Sequence, residues 1–418
     1  MQRNKERFFR MSRIFTVMLV VFLAFGSAVA GAVEKAVYAT TDYTSGVLGV
    51  ASGDSAVKVG SAGGDPALFS FQKDGAWKVL HRETNNYGAA LDTFTVYNPE
   101  NWGTPEVNRT LGHNIAGAAT WGTWLFLANY YNDGTASYLT KHDMTNNYAQ
   151  VASVNFDDGV AANLSEYVKS VLVVNDALFV LIERRDASWP PVHAAGSLVK
   201  LDPASLEEIG RVAVGKNPSA MAYAPTLGKI LVTSFGGAKN ASGTTAIEAV
   251  SVSTLEKSTF ATAADLPASA AAYAFDFIGV TASGILYVTA YYNDAVNWPD
   301  PNPCKVFSSP VGALAFTQRA SLPGWVGWAA ADPEQNLFWI VHHGTGTGDG
   351  SLRVYGGDGA EVRRLGETVL GGQPYAVAPL RTASGGDSGG GGGCAVSGTG
   401  VGALFLLVPL LLGAAWRR

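Results

Sequence analysis

One motif returns along this chain at a near-constant step, and that step limits the possible folds more than any other feature. Its clearest copy is Gly215-Lys216-Asn217-Pro218-Ser219-Ala220. Gly63-Gly64-Asp65-Pro66 and Gly371-Gly372-Gln373-Pro374-Tyr375-Ala376 repeat it, and Gly112-His113-Asn114-Ile115-Ala116 is a copy without Pro. About thirteen residues after each anchor comes an apolar run: Trp77 to Leu80, Trp124 to Ala128, Leu178 to Ile182, Ile230 to Thr233, Ile285 to Ala290 and Leu337 to Val341. Counting back from these runs places degenerate anchors near Glu166, Ala272 and Trp325. Pro66 and Pro374 are 308 residues apart in six steps, about 51 per repeat.

Each unit reads as four short strands. The anchor opens an inner strand of small and apolar residues, such as Ser219 to Ala224. A turn at Pro225 to Gly228 leads into the apolar run as second strand. A polar loop of variable length follows, then a hairpin such as Ser197 to Leu201, the turn Asp202-Pro203-Ala204, and Glu208 to Val214. Leu352 to Tyr355 and Glu361 to Leu365, joined by Gly356-Gly357-Asp358-Gly359, form another. No long helical period interrupts the pattern. Four-stranded units at this spacing predict an all-β fold, a β-propeller. The last unit, Pro374 to Pro379, has only its inner strand. Ala36 to Thr40 matches the missing second strand, and Gly46 to Ala51 with Ser55 to Val59 matches the outer hairpin. Six complete units plus this composite one predict seven blades, with the N-terminal strands completing the last blade and leaving no free sheet edge.

The ends carry signals of their own. Residues 1–30 read as a signal peptide: Arg3, Lys5, Arg7, Arg10 and Arg13, an apolar run from Ile14 to Phe25, then Ala28-Val29-Ala30 as a small-residue cleavage site. The propeller is placed at 31–382. A Gly/Ser-rich linker occupies 383–394 and ends at Cys394. The segment 395–418 holds an uncharged stretch, Val396 to Trp416, long enough to cross a bilayer, and a terminal Arg417-Arg418 pair that would stay cytoplasmic.

This Gly-Cys, apolar span and Arg-Arg plan resembles the C-terminal protein-sorting signals of bacterial surface proteins, the Synerg-CTERM and Myxo-CTERM kinds most of all. The resemblance covers Gly389 to Arg418. It implies a membrane-embedded sorting protease as partner, processing near Gly393 and Cys394, and a membrane-held precursor. The body resembles the YVTN-type family of surface β-propellers over about 60 residues, carried by Leu201-Asp202-Pro203, Val214-Gly215-Lys216-Asn217-Pro218 and Lys229-Ile230-Leu231-Val232-Thr233-Ser234. That likeness implies architecture and an envelope or outer-surface location. It carries no catalytic residues.

Without the leader and tail the body keeps 22 basic and 33 acidic residues, a net charge of −11. An acidic surface argues against nucleic acid as a partner. Cys304 is the only Cys of the body, so no intramolecular disulfide, zinc ribbon or haem-attachment motif is expected there. Stability must then come from a large apolar core.

Chemistry should show as a column across the repeats. The residue just past each second strand gives Asp42, Arg82, Tyr130, Glu183, Phe235, Tyr291 and His342. The column mixes both charges with aromatics, which suits a polar loop face better than a divalent metal. The loops that follow add Tyr131, Trp189, Tyr292 and Trp298. Together Arg82, Tyr130, Tyr131, Glu183, Trp189, Tyr291, Tyr292, Trp298 and His342 form the expected binding face, for a glycan or protein ligand. His342 and His343 alternate faces on a strand, a poor arrangement for one metal. Gly344 to Gly350 lacks the Lys-Ser/Thr of a phosphate loop. No catalytic residue, metal ligand or cofactor is assigned. The sequence therefore favours a non-enzymatic surface-displayed binding protein. The alternative is a propeller enzyme, lactonase- or quinoprotein-like, with a metal or cofactor in its central channel. The inner-strand anchors Asp65, Asn114, Glu166, Asn217 and Gln373 are the expected channel lining.

Overall fold

The computed structural model describes residues 34–42, 44–83, 93–110, 114–130, 137–156, 164–186, 193–236, 245–270, 273–292, 303–332, 335–346 and 348–380. Its strands form seven four-stranded antiparallel sheets. Blade 1 holds β1 (Ala67–Lys73), β2 (Ala76–Glu83), β3 (Thr93–Tyr97) and β4 (Val107–Thr110). Blade 2 holds β5 (Ile115–Trp121), β6 (Trp124–Asn129), β7 (Tyr138–Asp143) and β8 (Ala149–Asn155). Blade 3 holds β9 (Ser165–Val174), β10 (Ala177–Arg185), β11 (His193–Leu201) and β12 (Glu208–Lys216). Blade 4 holds β13 (Pro218–Ala224), β14 (Lys229–Ser234), β15 (Ala246–Ser251) and β16 (Lys257–Thr262). Blade 5 holds β17 (Tyr273–Val280), β18 (Ile285–Tyr292), β19 (Cys304–Pro310) and β20 (Thr317–Leu322). Blade 6 holds β21 (Trp325–Asp332), β22 (Leu337–Gly344), β23 (Ser351–Gly356) and β24 (Glu361–Gly366).

Blade 7 is the composite blade. Its inner strand β25 (Pro374–Leu380) pairs with β26 (Lys35–Thr40), from the chain's beginning, and the sheet continues through β27 (Gly46–Ser52) to β28 (Ser55–Ala62). The register runs from Lys35 opposite Leu380 to Ala39 opposite Ala376. The Tyr38 hydroxyl donates to the Leu370 carbonyl at 3.0 Å across this closure. Asp54 and Arg363 of the neighbouring blade 6 form an ion pair at 2.6 Å.

The sheets are held by wedges of apolar side chains, and each wedge joins two neighbouring blades. Leu80 and Phe94 of blade 1 pack with Leu125 and Leu127 of blade 2. Val37 and Leu48 of blade 7 pack with Leu68 and Val79 of blade 1, which closes the ring. Every inner strand touches the inner strand of the next blade around the whole circle. This explains the sequence pattern. A second strand such as Leu337–Gly344 is buried on both faces and reads as a continuous apolar run, whereas an outermost strand such as Ala149–Asn155 is largely exposed and reads as polar. Cys304 sits buried in the wedge between blades 5 and 6, and burial pushes its thiol well above the ordinary range. Among the described residues no helix is long and apolar enough to cross a membrane. The expected signal peptide and the expected tail, with Gly393, Cys394, Arg417 and Arg418, lie outside the described residues.

Candidate functional site in the central channel

The anchor turns start each inner strand with special backbone geometry. Asn114 and Asn217 both adopt the left-handed conformation, with φ of 49°, a region that short amide side chains tolerate better than most. Just beyond the anchor, the pairing of inner and second strands slips by a residue in six of the seven blades. The slip falls at Ala116, Lys169, Ser219, Asp276-Phe277, Gly327 and Tyr375. Only blade 1 runs from Ala67 without a break. A bulge re-aims a side chain that regular alternation would bury in the sheet stack.

Lys169, Ser219 and Asp276, on three successive blades, thereby line one cavity of about 390 Å³ in the channel. The opposite wall is aromatic. Trp328 meets Phe69 edge-on with ring centroids 5.6 Å apart, and Phe277 lies 6.3 Å away. Met221, Ile278 and Ala329 separate this chamber from a more apolar one of about 500 Å³ among the inner hairpin turns at the other mouth.

Glu183 anchors the charged side of the polar chamber. It is 2% exposed. Its carboxylate accepts from the Tyr130 hydroxyl at 2.8 Å and lies 3.0 Å from His193 Nδ1, 3.4 Å from Lys169 Nζ and 3.7 Å from Arg185 Nε. The Lys169 ammonium also sits 4.8 Å above the Tyr130 ring, and the Arg185 guanidinium stacks 4.3 Å from the Tyr167 ring. Burial alone would raise the Glu183 pKa, but Lys169, His193 and Tyr130 outweigh it and hold it at about 2. Lys169 is raised above its ordinary value: Tyr130, Glu183 and Asp276 overcome the cost of burial.

Asp276 is the opposite case. Its backbone carbonyl accepts from Thr233 Oγ1 at 2.5 Å and Ser219 Oγ at 3.1 Å, whereas its carboxylate makes no hydrogen bond or ion pair with the described residues. Burial pushes this carboxyl up to about 7, and the field of Lys169 offsets only part of the rise. Among the described residues the chamber offers one unpaired carboxylate and one ammonium, not the several oxygens or imidazoles a divalent cation needs. Among the described residues, no three His, Cys, Asp or Glu side chains gather as a metal donor set.

Of the residues singled out by the repeat column, Tyr130 lines the polar chamber and Glu183 holds its Lys169, while the others contact neighbouring strands and turns. Arg82 is buried; it pairs with Asp65 Oδ2 at 3.0 Å and reaches the Asn114 side chain and the Ile115 carbonyl of blade 2. Tyr130 of blade 2 reaches Glu183 of blade 3. The Tyr291 hydroxyl donates to the Val326 carbonyl of blade 6 at 2.8 Å. His342 is turned onto the Pro323 carbonyl, and His343 onto the Pro374 carbonyl at 3.0 Å. Asp42 is exposed and caps its own turn through Thr44 and Ser45. Tyr292 is 36% exposed and packs edge-on to Tyr273. Tyr131, Trp189 and Trp298 lie outside the described residues. The anchors meet the second strands rather than the channel: Asp65 is held by Arg82 and Glu166 by Arg184. The inner-strand residues facing the polar chamber start two to four positions further on. A sequence signal for them existed, since Lys169 and Asp276 are charges inside inner strands made mostly of small and apolar residues, although Glu166 is another.

Fold and site together define a seven-bladed β-propeller with a charged, aromatic-walled chamber on its axis. No protein-family model matches the chain, and no curated protein matches it. Solved structures do. A putative 6-phosphogluconolactonase from Bacteroides fragilis is similar with a TM-score of 0.55 at 10% identity, over 85% of this chain and 99% of the other. A functionally unknown protein from Desulfotomaculum acetoxidans gives a TM-score of 0.49 at 10% identity, over 83% of this chain and 99% of the other. At such identities the likeness is one of fold alone.

Proposed function

We propose that this protein is an exported propeller of the YVTN type, displayed on the cell envelope, which binds a ligand through its channel and the loop face around it. The polar chamber carries this reading. Its size suits a small organic molecule, and it sets a few placed polar groups against an aromatic wall, the usual make-up of a binding pocket. The leader and the Gly-Cys tail support export and display, with a membrane-embedded protease processing the tail near Gly393 and Cys394. Two measurements test the reading. Protease added to intact cells should degrade the body, and Cys394→Ala should accumulate unprocessed precursor in the membrane. A body found only inside the cell, or normal maturation of the variant, would overturn display and sorting respectively.

One observation favours a second reading, an enzyme acting in the channel. Asp276 titrates at about 7, where a carboxylate can accept a proton from water or substrate near neutral pH. A lactonase-like hydrolysis would use it as base. Turnover of a lactone panel that disappears in Asp276→Asn would establish this reading, and a silent panel would leave the binding one standing.

A further inference from the structure

We propose that the polar chamber binds a small zwitterion, an amino-acid-like molecule whose ammonium meets Asp276, whose carboxylate meets Lys169 and whose body lies against Trp328 and Phe277. The inference rests on the binding reading and deepens it. It starts from the bulges, which bring a cation and an anion to the channel from blades 3 and 5, with Ser219 of blade 4 between them.

The two charges are in different states. The Asp276 carboxylate makes no hydrogen bond or ion pair with the described residues, and inside a protein an ionised carboxylate needs a donor. The Lys169 ammonium carries three donors, with the Glu183 carboxylate 3.4 Å away and the Tyr130 ring 4.8 Å away. Its side chain keeps 25% of its surface open and lines the chamber. A simple cation placed beside Asp276 would be repelled by Lys169. A simple anion beside Lys169 would be repelled by the ionised Asp276. A molecule carrying both signs satisfies both residues and brings no net charge into a low-dielectric site. The cavity of about 390 Å³ has room for an amino acid. The edge-to-face pair Trp328 and Phe69, with Phe277 beside it, gives an apolar body a surface to pack on.

The test is calorimetric titration of the full purified chain with the twenty common amino acids, and with phenethylamine and 3-phenylpropionate as one-charge halves of phenylalanine. At least one amino acid should bind saturably at concentrations up to about 10 mM, and each half-ligand should bind at least about tenfold more weakly than phenylalanine, where phenylalanine binds. Asp276→Asn, of nearly unchanged shape, should weaken the amino acid and the amine about tenfold or more and strengthen the acid, whose repulsion by Asp276 it removes. Lys169→Gln should weaken the amino acid and the acid. Thermal melting of each variant checks that it is folded. Silence from all twenty amino acids, a half-ligand as tight as the amino acid, or unchanged affinity in folded Asp276→Asn would overturn the proposal. Binding of a neutral sugar or a peptide in the absence of amino-acid binding would overturn it too, while leaving the binding reading intact.

Discussion

The Tyr130 hydroxyl of blade 2 donates a 2.8 Å hydrogen bond to the Glu183 carboxylate of blade 3. Through this bond the blade boundary is part of the channel site, because the same carboxylate holds Lys169. Removing the carboxylate should hurt far more than removing the hydroxyl. Glu183→Ala leaves Lys169 and Arg185 without their shared anion, a loss of about 3–5 kcal/mol for a buried charge cluster. Tyr130→Phe removes one hydrogen bond to a charged acceptor, about 1.5–3 kcal/mol. Urea denaturation of both variants checks the order.

Acid should act on the same cluster. The folded Glu183 pKa of about 2 lies below the ordinary value of about 4.3, so its contribution is complete above about 4.3 and is lost as pH falls toward 2. Stability of Glu183→Ala should therefore fall less between pH 5 and pH 2 than that of the wild type, as read by thermal melting.

Asp276 has the reverse sign. Its folded pKa of about 7 lies above the ordinary value of about 3.9, so the folded state holds the proton more tightly than the unfolded chain. The stability this lends is complete below about 3.9 and disappears as pH rises through 7. Lys169 favours the ionised form, while Tyr291 and Cys304 are themselves raised by Asp276. Asp276→Asn should melt higher than wild type at pH 8 and within error of it at pH 4. Equal melting at pH 8 would mean that the carboxylate is not desolvated.

Close approach of inner strands predicts another asymmetry. A Cβ on Gly117 would come within 3.1 Å of the Ser170 Cα and the Val171 nitrogen in the next blade, and one on Gly327 within 2.9 Å of the Tyr375 carbonyl. Neither obstacle is a flexible side-chain end. Gly117→Ala and Gly327→Ala should each cost about 1–3 kcal/mol through forced movement between blades. Gly312→Ala meets nothing within 4 Å and should change stability by less than about 0.5 kcal/mol.

The architecture was legible because it is periodic. The anchors, the second strands and the composite blade all follow from one step of about 51 residues, and Ala36 to Thr40 falls where the missing second strand belongs. The channel lining was less legible. Asp65 and Glu166 stand at the anchors, but each is paired with an arginine on its own second strand, and the chamber is lined by residues beyond the bulge. A bulge shifts a strand's alternation by one residue, but inner strands of small and apolar residues on both faces have little alternation to shift, so its position was not readable. What was readable was a charge where small residues are the rule, at Lys169 and Asp276, and equally at Glu166, which faces Arg184 instead. The column of Arg82, Tyr130, Glu183, Tyr291 and His342 was visible as a column, yet its reach across the blade boundary depends on the lean of long side chains, which spacing does not encode.

The channel site exists only if the ring is closed, because blades 1 and 6 reach each other through blade 7. Hydrogen exchange of the backbone amides in Lys35–Thr40 and Pro374–Leu380 of the native protein measures that closure directly. A closed ring predicts protection in both segments as strong as in the inner pair of blade 3, Ser165–Val174 with Ala177–Arg185. Rapid exchange in Lys35–Thr40, with the other six sheets fully protected, would contradict the closed ring and remove the basis for the channel site.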